Sequence, residues 1–153
     1  MEKAALKEHR RHSTADKPFS YYISNISEYF PNVPLHWHKE FELNVILEGK
    51  GDFITCDKHF TAYKGDIVLT PPDMLHAVYQ HDDRRCVYDT LDLDGSMLGS
   101  RDNDRAADAF IAPLISGAYS IETHITPEHC YYSELLTTAE NMISAAKGDT
   151  PLL

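Results

Sequence analysis

Between Phe41 and Glu48 the chain alternates. Phe41, Leu43, Val45 and Leu47 occupy the odd positions, and Glu42, Asn44, Ile46 and Glu48 the even ones. Successive side chains of a strand point to opposite faces, so this stretch predicts a strand with two unlike faces. The odd row is too apolar to face water and needs a cover: a second sheet, a C-terminal helix or another subunit. A turn is expected at Gly49-Lys50-Gly51. Further strands are predicted over 52–56, 59–63, 67–70, 76–80 and 86–93, with Asp57-Lys58, Lys64-Gly65-Asp66, Pro71-Pro72-Asp73 and the charged run 82–85 between them. Upstream, 21–23 and 26–30 are aromatic and β-branched pieces broken by Pro31 and Pro34. Short strands at about ten-residue spacing predict an all-β barrel or sandwich.

The pattern changes after Asp94. Residues 102–110 read as helical, with Asp102 or Asp104 as the cap, and Pro113 and Gly117 bound a short helix after them. A last strand is predicted over 119–125. Thr126-Pro127-Glu128 then reads as a helix start, with a capping hydroxyl, proline at the first position and a carboxylate in the first turn. Tyr132, Leu135, Leu136, Ala139, Met142, Ile143 and Ala146 form an apolar stripe that Gly148 ends, giving an amphipathic helix of about 20 residues. Its stripe is expected on its own barrel or, in the sharper alternative, on a second copy.

Residues 1–17 carry charge without a stripe and read as a flexible arm. The expected division is an arm over 1–17, a barrel over 18–94 and a helical region over 95–153. The last residues, Thr150-Pro151-Leu152-Leu153, resemble the start of another helix, so the natural protein is expected to continue.

Composition narrows the function. The 153 residues make one domain, 42% apolar and 25% charged. A net charge of −10 argues against nucleic-acid binding by this chain itself. No apolar run is long enough for a membrane span and no signal pattern opens the chain. Cys56, Cys86 and Cys130 are odd in number and never spaced as C-x-x-C, which fits a reducing cytoplasm.

The candidate chemistry lies at the start of the alternating strand. His36, His38 and Glu42 share even parity, and His76 follows the turn at 70–73. Two imidazoles and a carboxylate on one face suit a first-row divalent ion such as Zn, Ni, Fe or Mn. The same groups equally suit hydrogen bonding to a small molecule or to neighbours. Asn44 and Ile46 share the parity of Glu42. Tyr22, Trp37, Tyr63, Tyr79 and Tyr88 are aromatics able to line a cavity for a sugar or ring-bearing ligand.

The spacing H-x-H-x3-E-x6-G at His36, His38, Glu42 and Gly49 resembles the first cupin motif. Gly65-x5-Pro71-x-Asp73-x2-His76-x3-Gln80 resembles the second, with Asp73 in place of glycine and Gln80 in place of asparagine. The resemblance implies a cupin-type double-stranded β-helix, a jelly-roll barrel, followed by C-terminal α-helices. It also implies His36, His38, Glu42 and His76 as metal ligands. The runs E-F-E-L-N-V-I-L-E-G-K-G and Y-K-G-D-I-V-L-T-P-P-D-M-L-H, and later D-R-A-A-D-A-F-I-A-P-L-I-S-G and I-T-P, further resemble the N-terminal sensor domain of AraC-type transcriptional regulators. That resemblance implies a small-molecule effector in the barrel, homodimerisation through the helices and DNA contact only through a helix-turn-helix half beyond this chain. The alternative is a stand-alone metal-dependent cupin enzyme, a dioxygenase or isomerase, with Glu40 or Glu48 as its extra acid–base group. A third class is a structural oligomer with an empty barrel.

Overall fold

One long strand, β3 (Phe41–Thr55), belongs to both sheets of the barrel. The computed structural model describes residues 2–98, 105 and 107–148. The first part of β3 pairs with β5 (Ile67–Thr70) on one side and β7 (Cys86–Leu93) on the other. Beyond these lie β1 (Phe19–Ile26), against β7, and β8 (His124–Ile125), against β5. The second part of β3 pairs with β4 (Lys58–Tyr63) and β6 (His76–Gln80), and β2 (Asn32–His36) extends that sheet beyond β6. Every pairing between these strands is antiparallel, and the chain is mainly β in a cupin-type jelly-roll arrangement with helices at its C-terminal end.

The turn expected at Gly49-Lys50-Gly51 is not made, because β3 runs through it. The register shifts between Ile46 and Glu48, leaving Leu47 as an extra residue opposite β7. Such a bulge bends a strand and lets it pass from one sheet to the other. Gly49 completes the corner at φ +73°, where any side chain would run into the Arg85 carbonyl. The same bulge explains a second correction. Leu47 was expected in the buried odd row but is 40% exposed, because the extra residue turns it out of the row.

The rest of the row obeys parity. Phe41, Leu43 and Val45 are buried with Ile67, Leu91, Leu93 and Ile125 on the outer face of the first sheet. Their cover is α2 (Tyr132–Lys147), which places Ala139 and Ile143 against them. The helix stripe therefore packs on its own barrel. The helix begins at Tyr132, later than the expected start at Pro127. Thr126 and His129 instead close a separate turn, the Thr126 N–H donating to His129 Nδ1 and the His129 N–H to the Thr126 carbonyl. Gly148 ends the helix at φ +80° as expected.

The strand predicted over 119–125 shrinks to β8, which pairs with the four-residue β5. Of the helical stretch predicted from 102, Asp102 and Asp104 lie outside the described residues. Ala107–Ile111 forms a π-helical turn leading into α1 (Ala112–Ile115), with Pro113 in its first turn. Thr150-Pro151-Leu152-Leu153 also lie outside the described residues.

Inside the barrel, Ile26, Ile46, Phe53, Ala62, Val68, Val78, Cys86 and Tyr88 form an apolar plug. The interior turns polar away from it, where Glu42, Asn44, Thr90 and Asp92 face inward on neighbouring strands. That polar half holds the candidate site.

Candidate functional site

β2 delivers His36 at its last residue, the link to β3 carries His38, β3 carries Glu42, and β6 begins with His76. Strand pairing sets His36 opposite His76. The ring centroids of His36 and His76 lie 4.1 Å apart, and those of His38 and His76 lie 4.8 Å apart. His38 Nε2 is 3.3 Å and His76 Nε2 is 3.4 Å from Glu42 Oε2. The four residues separated along the chain thus converge at one end of the barrel.

The tautomers are set by the backbone. His36 Nδ1 donates to the Pro34 carbonyl at 2.8 Å, and His76 Nδ1 donates to the Met74 carbonyl at 2.9 Å. Both rings therefore present Nε2 to the cluster, as metal-binding imidazoles do when a carbonyl holds the other nitrogen. His76 Nε2 is buried with no hydrogen-bond partner, as are His38 Nδ1 and Asp92 Oδ1. Glu42 is oriented in turn: Asn44 Nδ2 donates to its Oε1 at 2.6 Å, and the Thr90 hydroxyl donates to Asn44 Oδ1 at 2.7 Å.

These distances bear on metal binding. Two donors each about 2.1 Å from one ion, separated by roughly 90–110°, stand about 3.0–3.4 Å apart. The two imidazole–Glu42 separations fall at that spacing, longer than a good charge-assisted hydrogen bond of about 2.7–2.9 Å. A buried imidazole nitrogen without a partner, three imidazoles and an oriented carboxylate fit a divalent ion of the Zn–Fe–Ni type.

Electrostatics agree. Burial opposes the Glu42 charge, yet His76 and His38 outweigh it and hold its carboxyl well below the usual range. Burial likewise opposes a proton on His76, but Glu42 raises that imidazole overall. His36 is lowered, first by burial and then by His76. Positive charge is thus favoured on His76 beside Glu42 and disfavoured on His36.

Three contributors escaped the sequence reading. Glu8 and His12 come from the arm and Asp92 from β7. His12 is buried, its Nε2 2.7 Å from Glu8 Oε2 and its Nδ1 2.8 Å from Asp92 Oδ2. Burial would lower its pKa, but the hydrogen bonds to Asp92 and Glu8 prevail and raise it to about 11. Burial and the nearby Glu42 charge raise the Asp92 carboxyl against the pull of His12. Asp92 had a legible signal, since it shares even parity with Tyr88 and Thr90 and pairs directly with Glu42. Glu8 and His12 had none, lying in a stretch without periodicity.

The arm is laid across the barrel mouth. Glu8 N–H donates to the Trp37 carbonyl and Trp37 N–H to the Leu6 carbonyl, while the Ser13 hydroxyl donates to Glu40 Oε1 at 2.6 Å. Trp37 faces the arm rather than the cluster, with Lys3 and Lys7 over its ring and its indole N–H donating to the Lys3 carbonyl. Tyr22 lies beneath Arg10 and within hydrogen-bonding reach of His12. Ile46 and Tyr88 sit in the apolar plug, Tyr88 edge-on to Phe53, and Tyr63 is 55% exposed on the outside. Tyr79 is also exposed, and Glu48 faces solvent beside Arg85. A cleft of about 530 Å³ opens beside His38, walled by Lys7, Glu8, Arg10, Arg11, Lys39 and Glu40.

Comparison with known proteins adds three findings. The model of the AraC-like ligand binding domain matches residues 21–101. An uncharacterized HTH-type transcriptional regulator of Bacillus subtilis, YdeC, is 28% identical over 89 residues, which is 58% of this chain and 31% of that protein. The chain thus spans about a third of the curated relative it matches. Among solved structures, a cupin protein from Bacteroides fragilis overlaps 56% of this chain and 73% of its own at 19% identity and TM-score 0.48. A predicted oxalate decarboxylase from Thermotoga maritima overlaps 61% and 74% at 21% identity and TM-score 0.46.

Proposed function

Since the chain belongs to the family of AraC-like ligand binding domains, we propose that it is the effector-sensing domain of a DNA-binding transcriptional regulator, acting without catalysis. The observation that carries this reading is the family match across the barrel, with the relative described as an HTH-type regulator in support. DNA contact then belongs to a helix-turn-helix half outside this chain, in keeping with the net charge of −10. Homodimerisation, a cytoplasmic setting and the division into arm, barrel and helical region are parts of the same proposal. No helix among the described residues is long and apolar enough to cross a membrane.

In this reading His36, His38, His76 and Glu42 hold one divalent ion. When bound, the ion supplies a Lewis-acidic centre for an oxygen-bearing effector such as a sugar. Asn44 holds Glu42 in place, and His36 and His76 keep Nε2 inward through their carbonyl bonds. The cleft beside His38 admits the effector, whose preference for one arrangement of arm or helix biases the attached DNA-binding half.

The test is a thermal-shift screen of the zinc-loaded chain against sugars and small polar acids. An effector at a hundred times its Kd adds about 2.7 kcal/mol. For a domain of this size that raises Tm by roughly 5–10 °C. The hit should be recovered unchanged, whereas its conversion to product would establish the enzyme alternative. His38→Ala and His76→Ala together should abolish co-purifying metal, and unchanged metal content by elemental analysis would eliminate the four-ligand centre.

A further inference from the structure

Three groups of potential donors meet at His38: His36 with His76, Glu42 with Asp92, and Glu8 with His12. The last pair comes from the arm, and the proposed metal site makes no use of it. Glu8 Oε2 stands 3.5 Å from His36 Nε2, close to the two imidazole–Glu42 separations. The nitrogen it faces is the one that the Pro34 carbonyl leaves free on His36. Glu8 is also held there. Its Oε2 accepts from His12 Nε2 at 2.7 Å, while His12 Nδ1 is anchored on Asp92 at 2.8 Å and the Glu8 backbone is bonded to Trp37. The oxygen that faces His36 is thus the one that His12 holds, and an outer hydrogen bond of this kind is how a metal-ligating carboxylate is usually supported.

The two groups of the pair differ in what they can do. Both nitrogens of His12 are occupied by carboxylates, so His12 is an anchor rather than a donor to an ion. Glu8 retains lone pairs and faces a ligand nitrogen at ligand-to-ligand spacing. Three imidazoles and one carboxylate leave a first-row ion with open positions, and a hard oxygen is an acceptable fifth donor.

We infer that Glu8 of the N-terminal arm is a further ligand of the divalent ion held by His36, His38, Glu42 and His76, so that metal occupancy fastens the arm across the barrel mouth. This rests on the metal site proposed above. It makes the arm part of the site: an effector oxygen taking the position of Glu8 on the ion would loosen the arm and leave the barrel ligands in place.

Cobalt(II) and zinc(II) are the probes. Glu8→Gln is isosteric and its amide oxygen still accepts from His12, so it tests ligation more than docking. Expected results are a loss of zinc affinity of at least about tenfold in chelator competition, a changed visible ligand-field spectrum of the cobalt-loaded chain, and loss of zinc protection against tryptic cleavage at Arg10 and Arg11. A wild-type chain that binds one ion, with Glu8→Gln matching it in affinity, spectrum and protection, overturns the inference. Weaker affinity and a changed spectrum with cleavage indifferent to zinc would leave Glu8 a ligand but overturn the fastening. A wild-type chain that binds no ion, indistinguishable from His76→Ala, overturns the underlying metal site instead.

Discussion

At Asp73 the backbone enters the left-handed region, φ +61°, and its N–H donates to the His38 carbonyl at 2.8 Å. The related motif carries glycine at this position, and the φ value supplies the reason. Left-handed backbone costs an ordinary residue about 1–2 kcal/mol, and short polar side chains tolerate it best. Asp73→Gly should therefore be near neutral, whereas Asp73→Val should lose about 1–2 kcal/mol, read as a lower urea midpoint at unchanged slope. Asn44 gives a second prediction at this scale. With its amide removed in Asn44→Ala, Glu42 loses the bond that aims Oε2 at the imidazoles. Zinc affinity should fall by about 10–100-fold with the fold intact, the usual cost of losing an outer hydrogen bond to a metal ligand. Much of this site was legible residue by residue. Parity alone turned Glu42, Asn44 and Ile46 inward, and the spacing of His36, His38 and His76 marked positions that pairing then brought together. Parity failed at Leu47 because a bulge breaks the two-residue period, and nothing local announces a bulge. His12 was invisible because its partner Asp92 is remote in sequence and no pattern links a charged arm to a buried strand.

Among the elements, α2 shows what a periodic pattern predicts well and what it does not. Its stripe and its glycine stop were legible because both arise within the helix. Its start was not, since Thr126 and His129 satisfy one another and take the expected cap out of the helix. The C-terminal end is tied down by polar contacts. The Tyr21 hydroxyl donates to Asp89 Oδ1 at 2.6 Å, and Lys147 Nζ lies 3.6 Å from Asp89 Oδ2 and 5.0 Å from the Tyr21 ring centroid. Burial first, and then Asp89, raises the Tyr21 phenol above its ordinary 10.0. The hydrogen bond to Tyr21 first, and then the Asp89 charge, raises Lys147 above 10.5. Both groups bind their protons more tightly in the folded chain. Their contribution is complete below those ordinary values and is lost as pH climbs through the raised ones. The thermal midpoint should accordingly fall above about pH 10, and Tyr21→Phe, which cannot ionise, should make that alkaline decline shallower.

For the molecule as a whole, the first sheet separates two cores of different kinds, the plug inside the barrel and the layer beneath α2. The antiparallel barrel was legible from the rhythm of short strands. The division of labour inside it was not, because a single strand can serve two sheets only through the corner at Leu47–Gly49, which reads in sequence as an ordinary turn. That corner has a consequence for how the protein comes apart. Neither sheet can peel away while β3 stays whole, so the amides on both sides of Gly49 should open together and exchange with deuterium at a common slow rate. Much faster exchange over residues 50–55 than over 41–46 would show two halves that open independently. With common opening, a disturbance at the histidine cluster loosens the first sheet as readily as the second, where Thr55 of β3 pairs with His76, and the barrel responds to its ligand as one mechanical body.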